Sequence, residues 1–204
     1  MTKELFGAGP LSSRYDAALK FASDVHRTQM RKSQQVPYLS HLLRVSGLAL
    51  DYGATEEVAI AALLHDVVED CGGMEALEKI RVAFGEKVAQ FVLETSDSTA
   101  SDSQKKAPWR ERKEAYIERL KRCSPEAALI SGCDKLDNVS SILRALKARE
   151  DWALLNKFKG GRTEQFWFWD SIVDVLKERN APVAQELAVA VASLKKIWRD
   201  DVKY

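Results

Sequence analysis

The chain has 204 residues, of which 46% are hydrophobic and 30% charged, a balance typical of one compact globular domain. Its 31 Lys and Arg against 30 Asp and Glu give a formal net charge of +1, which argues against a partner that is a nucleic acid or a membrane surface. The three cysteines lack CxxC spacing, so we expect neither a disulfide framework nor a zinc knuckle. The N-terminal sequence MTKELFGAGPLSSRYD has no apolar signal core, and we expect a cytoplasmic protein.

Hydrophobic residues repeat with a helical period along nearly the whole chain, and no run of alternating β-branched residues occurs. We therefore predict an all-α, compact multi-helix fold in a single domain. Ser40 and Thr55 are predicted N-caps, and the Ser-rich segment 96–108 is predicted to be a mobile surface loop. The predicted helices cover residues 12–28, 40–50, 55–71, 74–84, 86–95, 109–121, 125–146, 163–178 and 182–199.

The stretch ALLHDVVEDC, residues 62–71, places four ionisable side chains in an otherwise apolar helix. On a continuous helix each residue advances about 100°, so His65, Asp66, Glu69 and Asp70 would share one side, opposite a core-facing apolar stripe. Three neighbouring carboxylates repel one another unless a positive charge lies among them. The pattern therefore predicts a divalent metal, and the alternative is an ordinary charged helix face exposed to water.

Further metal ligands are expected from two other helices. His41 lies in PYLSHLLRV, on the helix preceding the HD pair. Asp134 lies among apolar residues in CDKLDNVSSI, where an unpartnered carboxylate is costly, and Asp137 competes with it as a ligand. Two imidazoles and two carboxylates would suit manganese or iron as well as zinc. Glu69 and Asp70 would then remain for proton transfer.

The order of His41, His65-Asp66 and Asp134 resembles the HD-domain metal phosphohydrolases. Three longer stretches are similar to the hydrolase domain of the RelA/SpoT alarmone enzymes, and closest in kind to the single-domain, Mesh-like small alarmone hydrolases. The resemblance covers residues 14–178 and implies one HD hydrolase domain over 1–204, with a core over 12–178 and a C-terminal helix over 182–199. The stretches are HRTQMRKSQQVPYLSHLLRV, AALLHDVVEDCGG with FGEKVAQFV, and CDKLDNVSSI.

This resemblance implies hydrolysis of guanosine 3′,5′-bis(diphosphate), ppGpp, and of pppGpp to GDP or GTP and pyrophosphate, with Mn²⁺ as cofactor, although other divalent metals are possible. The residues that match the family's functional positions are His41, His65, Asp66 and Asp134 as metal ligands, Glu69 and Asp70 as catalytic carboxylates, and Arg31, Lys32 and Asn138 as substrate-binding residues.

Four positions depart from the family pattern. Leu42 stands where Pro is common, Cys71 where Thr is usual, Asp137 where an aromatic residue or His is usual, and Phe166 where Tyr often lies. The base preference therefore stays open. The alternatives are a phosphatase for another nucleotide, such as ppApp, a dNTP, a nucleoside monophosphate or NADPH, and a non-catalytic nucleotide-sensing module. A homo-oligomer is possible.

Overall fold

The computed structural model describes residues 7, 9–31, 36–96, 107–149, 154–155 and 160–200, and these residues contain helices and no β-strand. The prediction of an all-α fold is confirmed. Residues 97–106 of the predicted mobile loop lie outside the described residues. The helices are α1 (Ser13–Val25), α2 (Leu39–Asp51), α3 (Glu56–Leu64), α4 (Val67–Asp70), α5 (Gly73–Phe84), α6 (Glu86–Thr95), α7 (Trp109–Leu120), α8 (Pro125–Arg149), α9 (Gly161–Glu178) and α10 (Ala184–Asp200).

Helix α3 lies at the centre of the fold. Every residue from Val58 to Leu64 is buried, and α1, α2, α6 and α8 pack around the helix. A helix that is apolar on all sides belongs in a core. The expectation of a two-faced helix with a polar front is therefore wrong for α3.

The predicted continuous helix over 55–71 is also wrong, because the chain turns at His65 and Asp66 between α3 and α4. The His65 side chain bonds through Nδ1 to the Ala62 carbonyl at 2.8 Å, and a carbonyl in the last turn of a helix needs such a partner. Beyond the turn, Val67 and Val68 stay fully buried, whereas Glu69 is half-buried and Asp70 is exposed. The four ionisable residues thus form a more buried pair and a surface pair.

Helix α8 contacts α2, α3, α6, α7, α9 and α10 and so spans the molecule. Ser124 caps its N-terminus, because its Oγ accepts a hydrogen bond from the Ala127 N–H at 3.2 Å. The Glu94 carboxylate in turn accepts hydrogen bonds from the Ser124 N–H at 2.8 Å and the Ser124 hydroxyl at 2.6 Å. This end of α8 is therefore tied to α6.

The start of α2 differs from the prediction of Ser40 as its N-cap. Helix α2 begins at Leu39 with Tyr38 as N-cap, so Ser40 lies in the first turn. An isolated antiparallel bridge joins Met30 to Pro37, and the Tyr38 N–H donates to the Gln29 carbonyl at 2.9 Å. This bridge places Gln29, Arg31 and Tyr38 beside the N-terminus of α2. Among the described residues, no helix has the length and apolar character needed to cross a membrane.

Candidate metal centre and active site

Side chains from α2, α8 and the turn between α3 and α4 converge on one buried point. The His65 Nε2 lies 3.0 Å from Asp66 Oδ2 and 3.8 Å from Asp134 Oδ1. The His41 Nε2 lies 3.2 Å from Asp134 Oδ1 and 3.6 Å from Asp66 Oδ2. Ligand atoms of His41, His65 and Asp66 all fall within 4.8 Å of one another. The structure thus brings together the four residues that the sequence analysis assigned to a metal.

The hydrogen bonds of the two imidazoles leave both Nε2 atoms directed into this cluster. The Nδ1–H of His65 donates to the Ala62 carbonyl, and the Nδ1–H of His41 donates to Asp137 Oδ2 at 2.7 Å. A neutral imidazole that donates through Nδ1 carries its lone pair on Nε2. The His65 Nε2 is buried and meets the geometry of a hydrogen bond with none of the described residues, although Asp66 Oδ2 lies 3.0 Å away. This arrangement is expected where both atoms face a shared ion.

The spacing of these donors fits a divalent cation. Ligand atoms about 2.1 Å from an ion lie about 3.0 Å apart at right angles and about 3.4 Å apart in a tetrahedron. The four distances in the cluster, between 3.0 and 3.8 Å, bracket these values. His41, His65 and Asp66, with Asp134 beside them, could therefore hold a metal without a large rearrangement.

The electrostatics of the cluster also favour a cation. Burial opposes the charged imidazole, but hydrogen bonds to Asp134, Asp137 and Asp66 outweigh it and raise the pKa of His41 to about 9. The pKa of His65 is raised in the same way against burial, chiefly by the charge of Asp66. Burial would raise the pKa of Asp66, yet the neighbouring imidazoles hold it well below its usual value. A site that attracts protons this strongly also attracts a metal ion.

Asp134 and Asp137, which the sequence analysis left as competing ligands, occupy different sides of His41. Asp134 faces Nε2 and the cluster, whereas Asp137 faces Nδ1. The side chain of Asp137 is 1% exposed and also pairs with Arg31, Arg44 and Arg144. Asp137 therefore lies outside the ring of donor atoms and behind one of them.

The two carboxylates after the HD pair lie at the rim of the cluster, in a cavity of about 260 Å³. Asp70 Oδ2 accepts a hydrogen bond from the Gln29 side-chain amide at 2.7 Å, and the Tyr38 hydroxyl donates to Asp66 Oδ2 at 2.5 Å. The sequence analysis missed Gln29 and Tyr38, and only their places in HRTQ and PYLSH, beside His26 and His41, could have suggested them. The cavity is lined by Gln29, Met30, Arg31, Tyr38, Asp66, Glu69, Asp70 and Asn138.

Arg31 and Asn138 also line a second cavity of about 220 Å³, which is basic and aromatic. The guanidinium of Arg31 lies between Asp137, at 2.8 Å, and Asn138 Oδ1, at 2.6 Å. The Asn138 amide in turn donates to Asp134 Oδ1 at 2.5 Å. Lys32, the third substrate-binding residue implied by the resemblance, lies outside the described residues. The second cavity is lined by Arg31, Trp109, Lys113, Lys135, Asn138, Ser141, Ile142, Gln165, Phe168 and Trp169.

Lys135 supplies a cation between the metal cluster and the second cavity. Its ammonium pairs with Asp134 and lies 4.9 Å from the centre of the Tyr116 ring. Burial opposes the charge, but Asp134 outweighs it and raises the pKa of Lys135 above its usual value. The two neighbouring cavities therefore differ in character, because one is rich in carboxylates and the other is cationic and aromatic, and Arg31 and Asn138 line both.

Comparison with known proteins gives a consistent result. A family model of the HD domain matches residues 18–157. The guanosine-3′,5′-bis(diphosphate) 3′-pyrophosphohydrolase MESH1 of Drosophila melanogaster is 34% identical over 180 residues, which cover 86% of this chain and 92% of that protein. The human MESH1 is 32% identical over 174 residues, which cover 83% and 88%.

Solved structures agree. A metazoan orthologue of SpoT that hydrolyses ppGpp superimposes with a TM-score of 0.73 and 31% identity, over 91% of this chain and 98% of its own. A protein from Listeria monocytogenes superimposes with a TM-score of 0.65 and 30% identity, over 76% and 99%. With the HD residues at the centre of the fold and these relatives matched over most of their length, the chain belongs to the HD-domain family and, within it, to the MESH1-type guanosine-3′,5′-bis(diphosphate) 3′-pyrophosphohydrolases.

Proposed function

We propose that this protein hydrolyses ppGpp, and pppGpp, at the ribose 3′ position and releases GDP or GTP together with pyrophosphate, which lowers the alarmone concentration. The observation that supports this proposal is that two neighbouring cavities share Arg31 and Asn138 as lining residues. A candidate metal cluster, two rim carboxylates and a cationic, aromatic cavity lie side by side. Each cavity is somewhat smaller than the range of about 300–1,000 Å³ typical of ligand sites, so an extended nucleotide would occupy both.

We assign His41, His65, Asp66 and Asp134 as the ligands of a divalent cation, with Mn²⁺ as the preferred ion. Two nitrogen and two carboxylate donors suit Mn²⁺, as does the donor spacing described above. A cation held there supplies Lewis-acid polarisation of a phosphoryl oxygen and lowers the pKa of a water molecule in its shell. Tyr38, through its hydrogen bond to Asp66, would fix the orientation of that carboxylate.

We assign proton transfer to Glu69 and Asp70. Both line the cavity next to Asp66, and neither is among the ligand atoms that converge on the cluster. Asp70 would accept the proton of the attacking water, because Gln29 holds one of its oxygens and leaves the other available. Glu69 would orient the same water molecule.

We assign recognition of the nucleotide to Arg31 and Asn138, with Lys32 as a further phosphate contact on the strength of the family resemblance. Arg31 is pre-positioned by its bonds to Asp137 and Asn138, and a guanidinium in a fixed plane can pair with phosphate or stack on a base. Lys113 and Lys135 supply charge for the second diphosphate. Trp109 and Phe168 offer aromatic walls for the base.

The test is product analysis with purified protein and Mn²⁺. ppGpp, pppGpp, ppApp, NADPH and dGTP are incubated in parallel and the nucleotides are separated by chromatography, with EDTA and Asp70→Asn as controls. We expect GDP or GTP plus pyrophosphate from the guanosine alarmones, and neither control should give them. Consumption of another nucleotide with ppGpp intact would refute the substrate assignment, and tight binding without turnover of any nucleotide would indicate a sensor.

We also propose that residues 1–204 form one domain that acts in the cytoplasm, where guanine nucleotides are available. The dense contacts of α8 with helices from both halves of the described chain support a single unit. Limited proteolysis that releases two stable fragments would contradict this, and so would recovery of the activity in an extracellular fraction. Light scattering of the purified protein distinguishes a monomer from a homo-oligomer.

A further inference from the structure

Asp137 is a buried carboxylate that the proposed chemistry does not use. Its side chain is 1% exposed. A buried carboxylate without partners costs several kcal/mol, and it persists in a fold only where donors compensate it. Its partners therefore indicate what it does.

The two oxygens of Asp137 have mostly different partners, and among the described residues only Arg44 reaches both, since its Nη2 also lies 3.4 Å from Oδ2. Oδ1 accepts hydrogen bonds from Arg44 Nε at 2.5 Å and from Arg144 Nη2 at 3.2 Å. Both of these arginines are partly exposed, with side chains 38% and 55% accessible. Oδ2 accepts hydrogen bonds from His41 Nδ1 at 2.7 Å and from Arg31 Nη1 at 2.8 Å. One oxygen is thus anchored from the surface, and the other faces the active site.

We propose that Asp137 is a positioning residue that sets a metal ligand and a nucleotide-binding residue at the same time. Its Oδ2 keeps the proton of His41 on Nδ1, which leaves the lone pair of Nε2 directed at the cation. The same oxygen holds one arm of the Arg31 guanidinium, while Asn138 holds the other. This inference rests on the proposed function, since it assigns His41 to the metal and Arg31 to the nucleotide.

A carboxylate behind a metal-ligating histidine fixes the ring and raises its basicity, and removal of such a partner typically weakens metal binding by about 10–100-fold. Arg44 and Arg144 hold the Asp137 carboxylate in place, so that it cannot rotate toward His41 alone or toward Arg31 alone. A merely structural role, in which Asp137 only joins α2 to α8, would instead lower stability and leave both binding events unchanged.

The experiment compares Asp137→Asn with Glu94→Gln, a control that removes a hydrogen-bonded carboxylate at the far end of α8. Mn²⁺ affinity is measured by calorimetry, and kcat and KM for ppGpp are then measured at saturating Mn²⁺. We expect Asp137→Asn to weaken Mn²⁺ binding by about 10–100-fold. We also expect it to raise KM by about tenfold through Arg31, while kcat changes little once the metal is saturating. Glu94→Gln should match the wild type in Mn²⁺ affinity and KM.

The proposal would be overturned if Asp137→Asn kept both its Mn²⁺ affinity and its KM within threefold of the wild type. It would also be overturned if Glu94→Gln lost as much Mn²⁺ affinity as Asp137→Asn. If the wild-type protein binds Mn²⁺ but does not hydrolyse ppGpp, the result counts against the proposed function alone. The effect of Asp137→Asn on Mn²⁺ affinity would still test the role of Asp137. NMR of the Zn²⁺-loaded wild-type protein gives a readout that does not depend on a variant folding. We expect a slowly exchanging Nδ1–H signal from His41, and protonation at Nε2 instead would overturn the proposal.

Discussion

Gly132 lies on α8 where the helix packs closely against Val183, just before α10, and it offers a direct test of this packing. A Cβ atom on Gly132 would lie 2.2 Å from Val183 Cγ1 and 3.2 Å from Leu176 Cδ1. Both side chains are fully buried, and the β-branched Val183 has few rotamers available. Because a contact of 2.2 Å is severe, overpacking in Gly132→Ala should cost about 2–3 kcal/mol, against a helix-propensity gain of about 0.8–1.0 kcal/mol. We expect a net loss of about 1–2 kcal/mol and a Tm lower by about 2–8 °C.

Gly47→Ala is the matched control. Gly47 lies inside α2, and a Cβ atom there meets no atom within 4 Å, so only the propensity gain remains and Tm should rise by about 2–4 °C. Both variants are compared with the wild type by calorimetry in EDTA, which removes any stabilisation by bound metal. A Tm for Gly132→Ala at or above that of the wild type would refute the packing of α8 against Val183.

Three further results are expected. Asp70→Asn should lower kcat by at least about 100-fold and keep an Mn²⁺ affinity within twofold of the wild type. His65→Ala should instead lose measurable Mn²⁺ binding. An equal loss of metal binding in both variants would contradict the assignment of Asp70 to proton transfer and His65 to the metal. Gln29→Leu should lower kcat/KM by about tenfold, because the hydrogen bond to the Asp70 carboxylate is lost. The bond between Gln29 Oε1 and the buried His26 Nδ1, 2.6 Å long, is lost as well, so Tm should fall by about 2–4 °C, and kinetics with calorimetry check both. Because the pKa of His41 is raised to about 9 without metal, Mn²⁺ binding at neutral pH should release protons and weaken as the pH falls from 9 to 6. Calorimetry in buffers of different ionisation enthalpy measures that release, and a pH-independent affinity would contradict the ligand assignment.

Local sequence patterns predicted most helix positions because the relevant signals lie within a few residues. Thr55 occupies the predicted N-cap position of α3, although its side chain makes no capping hydrogen bond among the described residues, and Gly85 separates α5 from α6 as expected. The break at His65 and Asp66 could not be predicted in this way, because HDVVED contains neither Gly nor Pro and continues the helical period. The turn depends on the burial of α3 by surrounding helices, and those contacts come from distant parts of the sequence.

In the candidate site, too, the sequence predicts which residues can take part, whereas contacts between distant segments decide how they are arranged. Asp134 and Asp137 have the same chemistry and lie three residues apart on one helix, so both can reach His41. Which of them faces Nε2 is decided by the packing of α8 against α2, and no spacing rule encodes that choice.

The near-zero net charge of the chain conceals a local separation of charge. Carboxylates surround the candidate metal position, Lys113 and Lys135 line the neighbouring cavity, and Arg31 lines both. A balanced net charge argues against binding of a long polyanion, which needs a broad basic surface. It is compatible with binding of a small anion by a few fixed cationic groups. On the proposed assignment, a nearly neutral protein would bind a highly charged nucleotide by placing opposite charges in two neighbouring cavities.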